Sequence, residues 1–324
     1  MAVVAAPGYT RPRTYEWNVT LEQSLGQQTF SVAYTGSVGR RLLGTAQGVS
    51  EADQLSLLIL GNYFSSSYNA LQLQFNRRMS KRVQAMISWT WSHAIDNLSD
   101  ETGDSAGPLD TSVFLNPNQN RGDSDFDVRQ SLHGALFFAL PAPRTGRIAM
   151  LQRNWTASGI FFARTALPTN VVINPYESDL RPDIVPGQPL YLYGSGYPGG
   201  ESFNAAALTA PPAGVTQGDL GRNVLHEFGA WQVDLALHRE FRLSDHTRLQ
   251  FRAEAFNALN HPNFASPSGG SSNPQQIVLF PILFGQSSSS LAAGLSSLRT
   301  LGQLNQLFQI GGPRSLQLAL RLTF

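Results

Sequence analysis

The chain has 324 residues, enough for one large domain or two ordinary ones. Charged residues make up 14% of it and the formal net charge is +1, so bulk electrostatic attraction to nucleic acid is not expected. The absence of cysteine excludes disulfides and cysteine-based zinc sites, and 29 glycines with 19 prolines favour strands joined by turns over helices.

The first four predicted elements are strands in which apolar and polar side chains alternate. A period of two puts one kind of side chain on each face of a strand. Segments 15–22 and 30–38 flank a tight LGQQ turn, and segments 71–75 and 83–91 flank a polar MSKR turn. Their alternating positions include Tyr15, Trp17, Val19, Leu21, Phe30, Val32, Tyr34, Leu71, Leu73, Phe75, Val83, Ala85, Ile87, Trp89 and Trp91.

Five further segments continue the pattern to the last residue. Segments 132–140 and 155–161 are separated by a join that begins with prolines, and segments 231–237 and 249–255 flank an LSDHT turn. The ninth strand, 316–324, carries Leu316, Leu318, Leu320, Leu322 and Phe324 on one face. An aromatic last residue is unusual because chain ends are commonly frayed and polar.

The hydropathy pattern excludes a membrane helix but permits a membrane barrel. No apolar run approaches the ~18 residues that a spanning helix needs. Residues 1–6, MAVVAA, lack the basic start and the apolar length of a signal peptide. Barrel strands cross with about 9–11 residues of alternating polarity, which is the pattern found here.

The connections are sorted by length along the chain. Short joins near 26–28, 79–82, 141–153 and 243–247 alternate with long ones near 40–67, 94–127, 165–228 and 258–313. Bacterial outer-membrane barrels have short periplasmic turns and long extracellular loops. We therefore predict an all-β, antiparallel transmembrane barrel of about nine strands, with ligand recognition in the long loops.

Aromatic side chains lie close to the predicted strand ends, on the apolar face. Trp17, Trp91 and Trp231 fall near extracellular ends, whereas Trp155 and Phe324 fall near periplasmic ends. Lipid-facing barrel surfaces carry such girdles at both interfaces. The alternative is that these are core aromatics of a soluble, carbohydrate-binding β-sandwich.

The other strand face carries polar and charged side chains, clearest in the eighth strand. A row of this kind would be costly inside a sandwich core, but costs little beside a hydrated or plugged lumen. A solvent-exposed face of a sheet is the alternative for a single strand. The predicted lumen-facing residues are Arg248, Gln250, Arg252 and Glu254.

Several fragments of the chain resemble the barrel of Oar-like TonB-dependent outer-membrane receptors. They are PRTYEWNVTLEQSLG, FSVAYTGSVGRRL, YNALQLQFNRRMSKRVQAMISWTWSHAID, SDFDVRQSLHGALFFALP, GDLGRN with FGAWQVDLALHREF, RLQFRAEAFNALNHPNF and the terminal LALRLTF. The resemblance keeps the family's order over nearly the whole chain. It implies outer-membrane localisation, lipid contact and a C-terminal signal for the barrel-assembly machinery in Leu316, Leu318, Leu320, Leu322 and Phe324.

The resemblance also implies that the chain is part of a larger protein. Receptors of this family have a signal peptide, an N-terminal β-sandwich, a plug and a barrel of about 22 strands. We predict that residues 1–324 form one partial barrel domain without signal peptide or plug. It would contact the TonB complex only through a missing N-terminal part and would not transport alone. The ligand is open among iron chelates, oligosaccharides, peptides and vitamins, and a surface or adhesion barrel is the alternative function.

Catalytic and metal-binding motifs are weak. Asp123, Asp125 and Asp127, with Asp96 and the acids near it in the same loop, could offer oxygen ligands to Ca²⁺, but without EF-hand spacing. Solvated loop acids are the simpler interpretation. The RGD at 121–123 is a short motif with a high chance rate, and the six histidines form no HExxH motif. The sequence therefore predicts no enzyme, no cofactor, no metal and no nucleic-acid partner.

Overall fold

The structure, a computed structural model, describes residues 2–49, 56–99, 117–142, 145, 153–173, 180–215, 217–267, 275–276, 284–297 and 305–324. Nine long strands dominate it. They are β1 (Arg13–Leu25), β2 (Gln28–Val49), β3 (Ser56–Ser80), β4 (Val83–Asp96), β5 (Gln130–Ala139), β6 (Trp155–Arg164), β7 (Ala230–Arg242), β8 (Arg248–Phe256) and β9 (Ser315–Thr323).

These strands form one antiparallel meander in which each strand pairs with its neighbours in the chain. All nine predicted strands are confirmed, and they lie in one sheet rather than in the two sheets of a sandwich. Among the described residues, the outer edges of β1 and β9 have no partner strand, so the sheet is open. The all-β, antiparallel prediction is confirmed.

The register puts the predicted apolar positions of all nine strands on one face, while Met86, Phe137 and Ile160 lie on the other. One row runs from Tyr34 through Leu71 to Trp91 across β2, β3 and β4. Another joins Leu235, Ala255 and Leu316 across β7, β8 and β9. Because directly opposed residues in a sheet point to the same side, the alternation seen in single strands becomes a continuous apolar surface.

Two of the predicted turns are tight hairpins. Leu25 pairs with Gln28 around Gly26, whose φ of 62° suits glycine. Ser80 pairs with Val83 around Lys81 and Arg82, at φ values of 46° and 73°. Two central residues with positive φ match the right-handed twist of a hairpin, although side chains other than glycine and asparagine adopt this conformation at a cost.

The predicted long loop at 40–67 is wrong, because β2 and β3 continue through most of it as a hairpin arm, here meaning the described residues 40–49 and 56–65. Its pairing runs from Leu42 with Phe64 to Val49 with Ser56. The register shift between Gly39 and Leu42 adds one residue to β2, and the shift between Leu42 and Gly44 adds one residue to β3. Each shift inverts the alternation in the strand that carries it, which hid the strands from pattern analysis.

The remaining elements are short and lie mainly in the long connections. Two of them join the main sheet: Ala2–Ala5, parallel to β3, and Gly122–Asp123, beside β4. The others are strands Pro168–Thr169, Val171–Val172, Asp183–Ile184, Tyr191–Tyr193, Glu201–Phe203, Leu208–Thr209, Leu225–His226 and Gln275–Gln276, 3₁₀ helices Pro117–Asn120, Pro198–Gly200, Ala205–Ala207 and Gln306–Phe308, and helix α1, Leu291–Ser297.

No helix in the described ranges has the length and apolarity to cross a membrane. Buried apolar side chains concentrate outside the nine strands, with Phe64, Ala70 and Ala230 as the exceptions among the described residues. The apolar face of the sheet is correspondingly uncovered: Val19 and Leu318 are 69% and 74% exposed.

Candidate functional site

The long connections fold together into a loop cap, defined here as the described residues of 94–127, 165–228 and 258–313. Its core consists of Val171, Phe203, Leu208, Leu220, Leu225 and Phe284. Phe203 and Phe284 belong to different connections, and their ring centroids lie 6.1 Å apart. A loop region with its own apolar core presents a defined surface, which the sequence analysis did not anticipate.

Arg222 ties two connections of the cap together. Its guanidinium lies 2.6 Å from the Asp96 carboxylate and 3.0 Å from that of Asp125, and it donates to Ser99 Oγ at 2.6 Å. The Arg222 and Asp96 side chains are 7% and 9% exposed. The adjacent Asn223 amide donates to Asp125 Oδ1 at 2.6 Å. These contacts join residues about a hundred positions apart through charge-assisted hydrogen bonds.

A second buried arginine makes a similar connection. Arg181 Nε donates to the Leu220 carbonyl at 3.1 Å, while its terminal nitrogens donate to Asn120 Oδ1 and to the Gln119 carbonyl at 2.8 and 2.9 Å. Arg181 is 3% exposed. Its planar fork therefore joins connections 94–127 and 165–228.

The RGD motif and the DSDFD acids belong to this packed region. A Cβ on Gly122 would lie 2.4 Å from the Arg222 carbonyl oxygen, so glycine is required by close backbone approach. Arg129 lies 2.8 Å from Asp123 and 2.5 Å from Asp127. Asp96 and Asp127 are buried, so their interpretation as solvated loop acids is wrong: they are partners of fixed arginines.

His93, Asp123 and Asp127 have the ligand types of a metal site, and their nearest candidate atoms lie within 4.8 Å of one another. The Arg129 guanidinium already contacts both carboxylates. A divalent cation beside it would meet a permanent positive charge, and Ca²⁺ prefers a shell of oxygens to an imidazole nitrogen. The donor set therefore suits an ion-paired cluster better than a calcium site. The predicted acids Asp100, Glu101 and Asp104 lie outside the described residues.

Glu227 is a partly buried carboxyl at the junction of two connections. It accepts a hydrogen bond from Ser266 Oγ, and its backbone N–H donates to the Leu167 carbonyl at 2.8 Å. Burial raises the pKa of Glu227 to about 7, against opposing effects of the Ser266 hydrogen bond and of Arg164. The junction thus contains a carboxyl that titrates near neutral pH.

Asparagines fix the segment that follows β8. The Asn257 amide donates to the carbonyls of His261 and Gly312 at 2.8 and 2.9 Å, and its oxygen accepts from His261 N–H. Asn263 bonds the backbone N–H and carbonyl of Trp231 at 2.9 and 3.0 Å. The His261 ring stacks on the Trp231 indole with centroids 4.0 Å apart.

The predicted girdle and terminal residues all lie on the apolar face, by register. Trp17, Trp91 and Trp231 are near loop-side strand ends, and Trp155 is near a turn-side end. Leu316, Leu318, Leu320 and Leu322 extend along β9, and Phe324 is 93% exposed. Their roles as a lipid girdle and an assembly signal stay predictions.

The alternation also puts Arg239 on the apolar face, which the pattern analysis overlooked. It pairs across the strands with Trp155 and Phe251, and its guanidinium carbon lies 5.5 and 4.2 Å from the ring centroids of Trp155 and Phe241. A cation among aromatic rings is held by their quadrupoles, and long basic side chains place apolar stems along such surfaces.

The predicted polar row lies on the opposite face. Arg252 is 2.6 Å from Glu254, and Arg248 is 3.1 Å from Glu240 on β7. Gln250 pairs with Arg321 of β9. These contacts show partners for the charges, while the position of this face in a lumen stays a prediction.

A family described as an outer membrane beta barrel domain matches residues 2–302. The chain belongs to this family. The match places the protein in the bacterial outer membrane, which confirms the predicted localisation. The Oar-like assignment stays a resemblance.

Three solved structures illustrate the fold of the outer-membrane barrel. The outer membrane transporter YddB from Escherichia coli is 10% identical with a TM-score of 0.53, over 99% of this chain and 34% of that one. The FrpB iron transporter from Neisseria meningitidis is 11% identical with a TM-score of 0.47, over 99% and 32%. The pyoverdine receptor FpvA from Pseudomonas aeruginosa is 11% identical with a TM-score of 0.45, over 97% and 29%.

The chain spans about a third of the length of these structures. At 10% identity the likeness to YddB shows the fold alone. No curated protein sequence matches the chain.

Proposed function

We propose that this chain is part of the barrel of a TonB-dependent outer-membrane receptor that binds a ligand at its loop cap and imports it. The observation that carries the proposal is the cap itself. Its apolar core and buried arginine contacts hold three long connections in one arrangement at the loop-side end of the sheet. Preorganised loops on a rigid strand scaffold are a common basis of recognition.

The open sheet supports the partial-barrel component of the proposal. Edge strands with unsatisfied backbone groups are not tolerated in lipid, and both β1 and β9 have a free edge among the described residues. Further strands of the same barrel would pair with these edges. Lipid would cover the apolar face, the barrel-assembly machinery would insert the barrel, and TonB would act through residues outside this chain. The chain alone would not transport.

An immunoblot of outer-membrane fractions tests the partial barrel. An antibody against residues 305–324 should detect a protein several-fold heavier than the 35.3 kDa of this chain. A membrane-embedded band at the chain's own size would contradict this component.

Cross-linking in intact cells tests the receptor. We expect TonB to be captured with the protein that carries residues 1–324, and a strain lacking TonB serves as the control. An inserted barrel that never captures TonB would favour the surface or adhesion alternative.

A further inference from the structure

A cleft of about 590 Å³ lies beside the segment that follows β8. Its described walls come from the 257–264 segment, the serine run 287–290 and the glycine–proline segment 311–313, with Pro198 at one side. The volume is in the usual range of small-molecule sites, roughly 300–1,000 Å³. The cleft belongs to the loop cap but not to its arginine-bound side.

The walls are fixed before any ligand arrives. Asn257 and Asn263 are 2% and 3% exposed. Their side-chain amides donate hydrogen bonds to the backbone carbonyls of His261 and Trp231. Gly311 donates its N–H to Gln232 Oε1 at 2.8 Å. A Cβ on Gly311 would lie 2.6 Å from that of Leu291. The backbone is therefore held close to α1, and the cleft shape does not depend on exposed side chains.

The described lining is polar but uncharged. It contains asparagine, serine, proline, glycine, His261 and Phe264, with no carboxylate, lysine or arginine. Desolvation lowers the pKa of His261, which favours its neutral imidazole. An anionic chelate would have to lose hydration here without a compensating cation. The lining favours a neutral ligand.

Several polar groups remain accessible to such a ligand. Asn260 and Ser288 are exposed, and Ser289 is half-buried. The His261 ring is set by its stacking on Trp231, and the Phe264 ring adds an apolar surface. Hydroxyl and amide donors beside flat rings match the alternating hydroxyl groups and C–H faces of a sugar.

We propose that this cleft binds a short neutral saccharide, with His261, Asn260 and Ser288 as its polar contacts. The inference rests on the proposed function in one respect, since it assigns a ligand class to that receptor. It adds a site that is separate from the ion-paired cluster of Asp123, Asp127 and Arg129.

The test uses the full-length protein that carries residues 1–324, purified from outer membranes in an amine-oxide detergent, because sugar-based detergents would compete. Isothermal titration calorimetry is run with maltose, cellobiose, lactose and diacetylchitobiose, and with ferric citrate as an anionic probe. We expect at least one disaccharide to bind and ferric citrate not to bind. The His261→Ala and Ser288→Asp variants should each weaken disaccharide binding at least tenfold.

Ser244→Asp is the matched control, because it places the same new charge in the exposed turn before β8, at the opposite end of the strands. It should leave binding unchanged. The inference is overturned if none of the four disaccharides binds, or if binding survives both cleft substitutions. Folding of each variant is checked by heat-modifiable mobility, and Ser288→Asp remains informative if His261→Ala does not fold.

The outcome is independent of the receptor test. TonB capture without saccharide binding would contradict the assignment of a saccharide ligand but support the receptor function. Saccharide binding without TonB capture would support the saccharide site in the cleft but contradict the transport function.

Discussion

Replacing Arg222 by methionine should loosen the loop cap while leaving the strands paired. Methionine retains much of the side-chain volume but removes the charge that compensates Asp96 and Asp125. Asp96 would remain almost fully buried, with Ser99 as its remaining side-chain donor. Breaking a buried ion pair by removing one partner costs about 3–5 kcal/mol.

The size of the effect can be set against an exposed pair in the same molecule. Arg248 lies 3.1 Å from Glu240, but the two side chains are 52% and 51% exposed. Exposed pairs contribute about 0–1 kcal/mol. Arg248→Met is therefore the matched control, and the expected difference between the two variants is at least about 2 kcal/mol.

Hydrogen exchange measured by mass spectrometry on the full-length protein that carries residues 1–324, purified in detergent, would report this difference. The amides of Leu220 and Ser124 bond the carbonyls of Pro182 and Ala94, on either side of the Arg222 contacts. A loss of 3 kcal/mol corresponds to about 100-fold faster exchange through opening. Asp96→Asn in the Arg222→Met background should recover part of the protection. Equal exchange in Arg222→Met and Arg248→Met would refute the role given to burial.

Three other changes test separate parts of the structure. Folded Glu227 has a pKa of about 7, above its ordinary 4.5, so the stability of the cap should fall by at most about 3 kcal/mol as pH rises between these values. Glu227→Gln should reduce this pH dependence, measured by hydrogen exchange at pH 5 and pH 8. An unchanged pH dependence in the variant would contradict the assignment. Arg82→Gly should stabilise the protein by about 1 kcal/mol and raise its melting temperature, because glycine adopts a positive φ without strain. Gly26→Ala should lower the melting temperature for the opposite reason. The reverse order of melting temperatures would count against the turn geometry. Deleting Phe324 should reduce outer-membrane insertion measured by fractionation, while Phe324→Tyr should retain it, and equal insertion of all three chains would exclude an assembly role.

The nine strands were predictable because each carries its own alternation. Leu235 and Leu237, for example, mark the face of β7 without knowledge of β6 or β8. Once the short turns fix antiparallel neighbours, the shared face follows from pairing. The hairpin arm was missed for the complementary reason: a bulge at Arg41, with φ of 55°, changes the phase of the pattern inside the strand.

The loop cap could not be predicted in the same way. Arg222 and Asp96 are 126 positions apart, and nothing periodic links them. Leu220 lies within the GDLGRN segment and Leu225 just after it, and both are almost fully buried. Apolar residues within a long polar connection were therefore the available signal. The acids of DSDFD were identified as a group in the sequence. Which arginines pair with them is determined only by the folded arrangement of the connections.

The register shifts of the sheet also bear on how the length of this chain can change over evolutionary time. They lie where the hairpin arm begins, between Gly39 and Gly44, and beside a turn, between Arg77 and Ser80. Inside the paired middle of a strand, gain or loss of one codon would exchange the side chains of the apolar and polar faces in the rest of that strand. The lengths of these paired strand segments should therefore differ among related genes by even numbers of residues. Single-codon changes should accumulate in the arm and the cap, where inverted alternation carries no membrane cost.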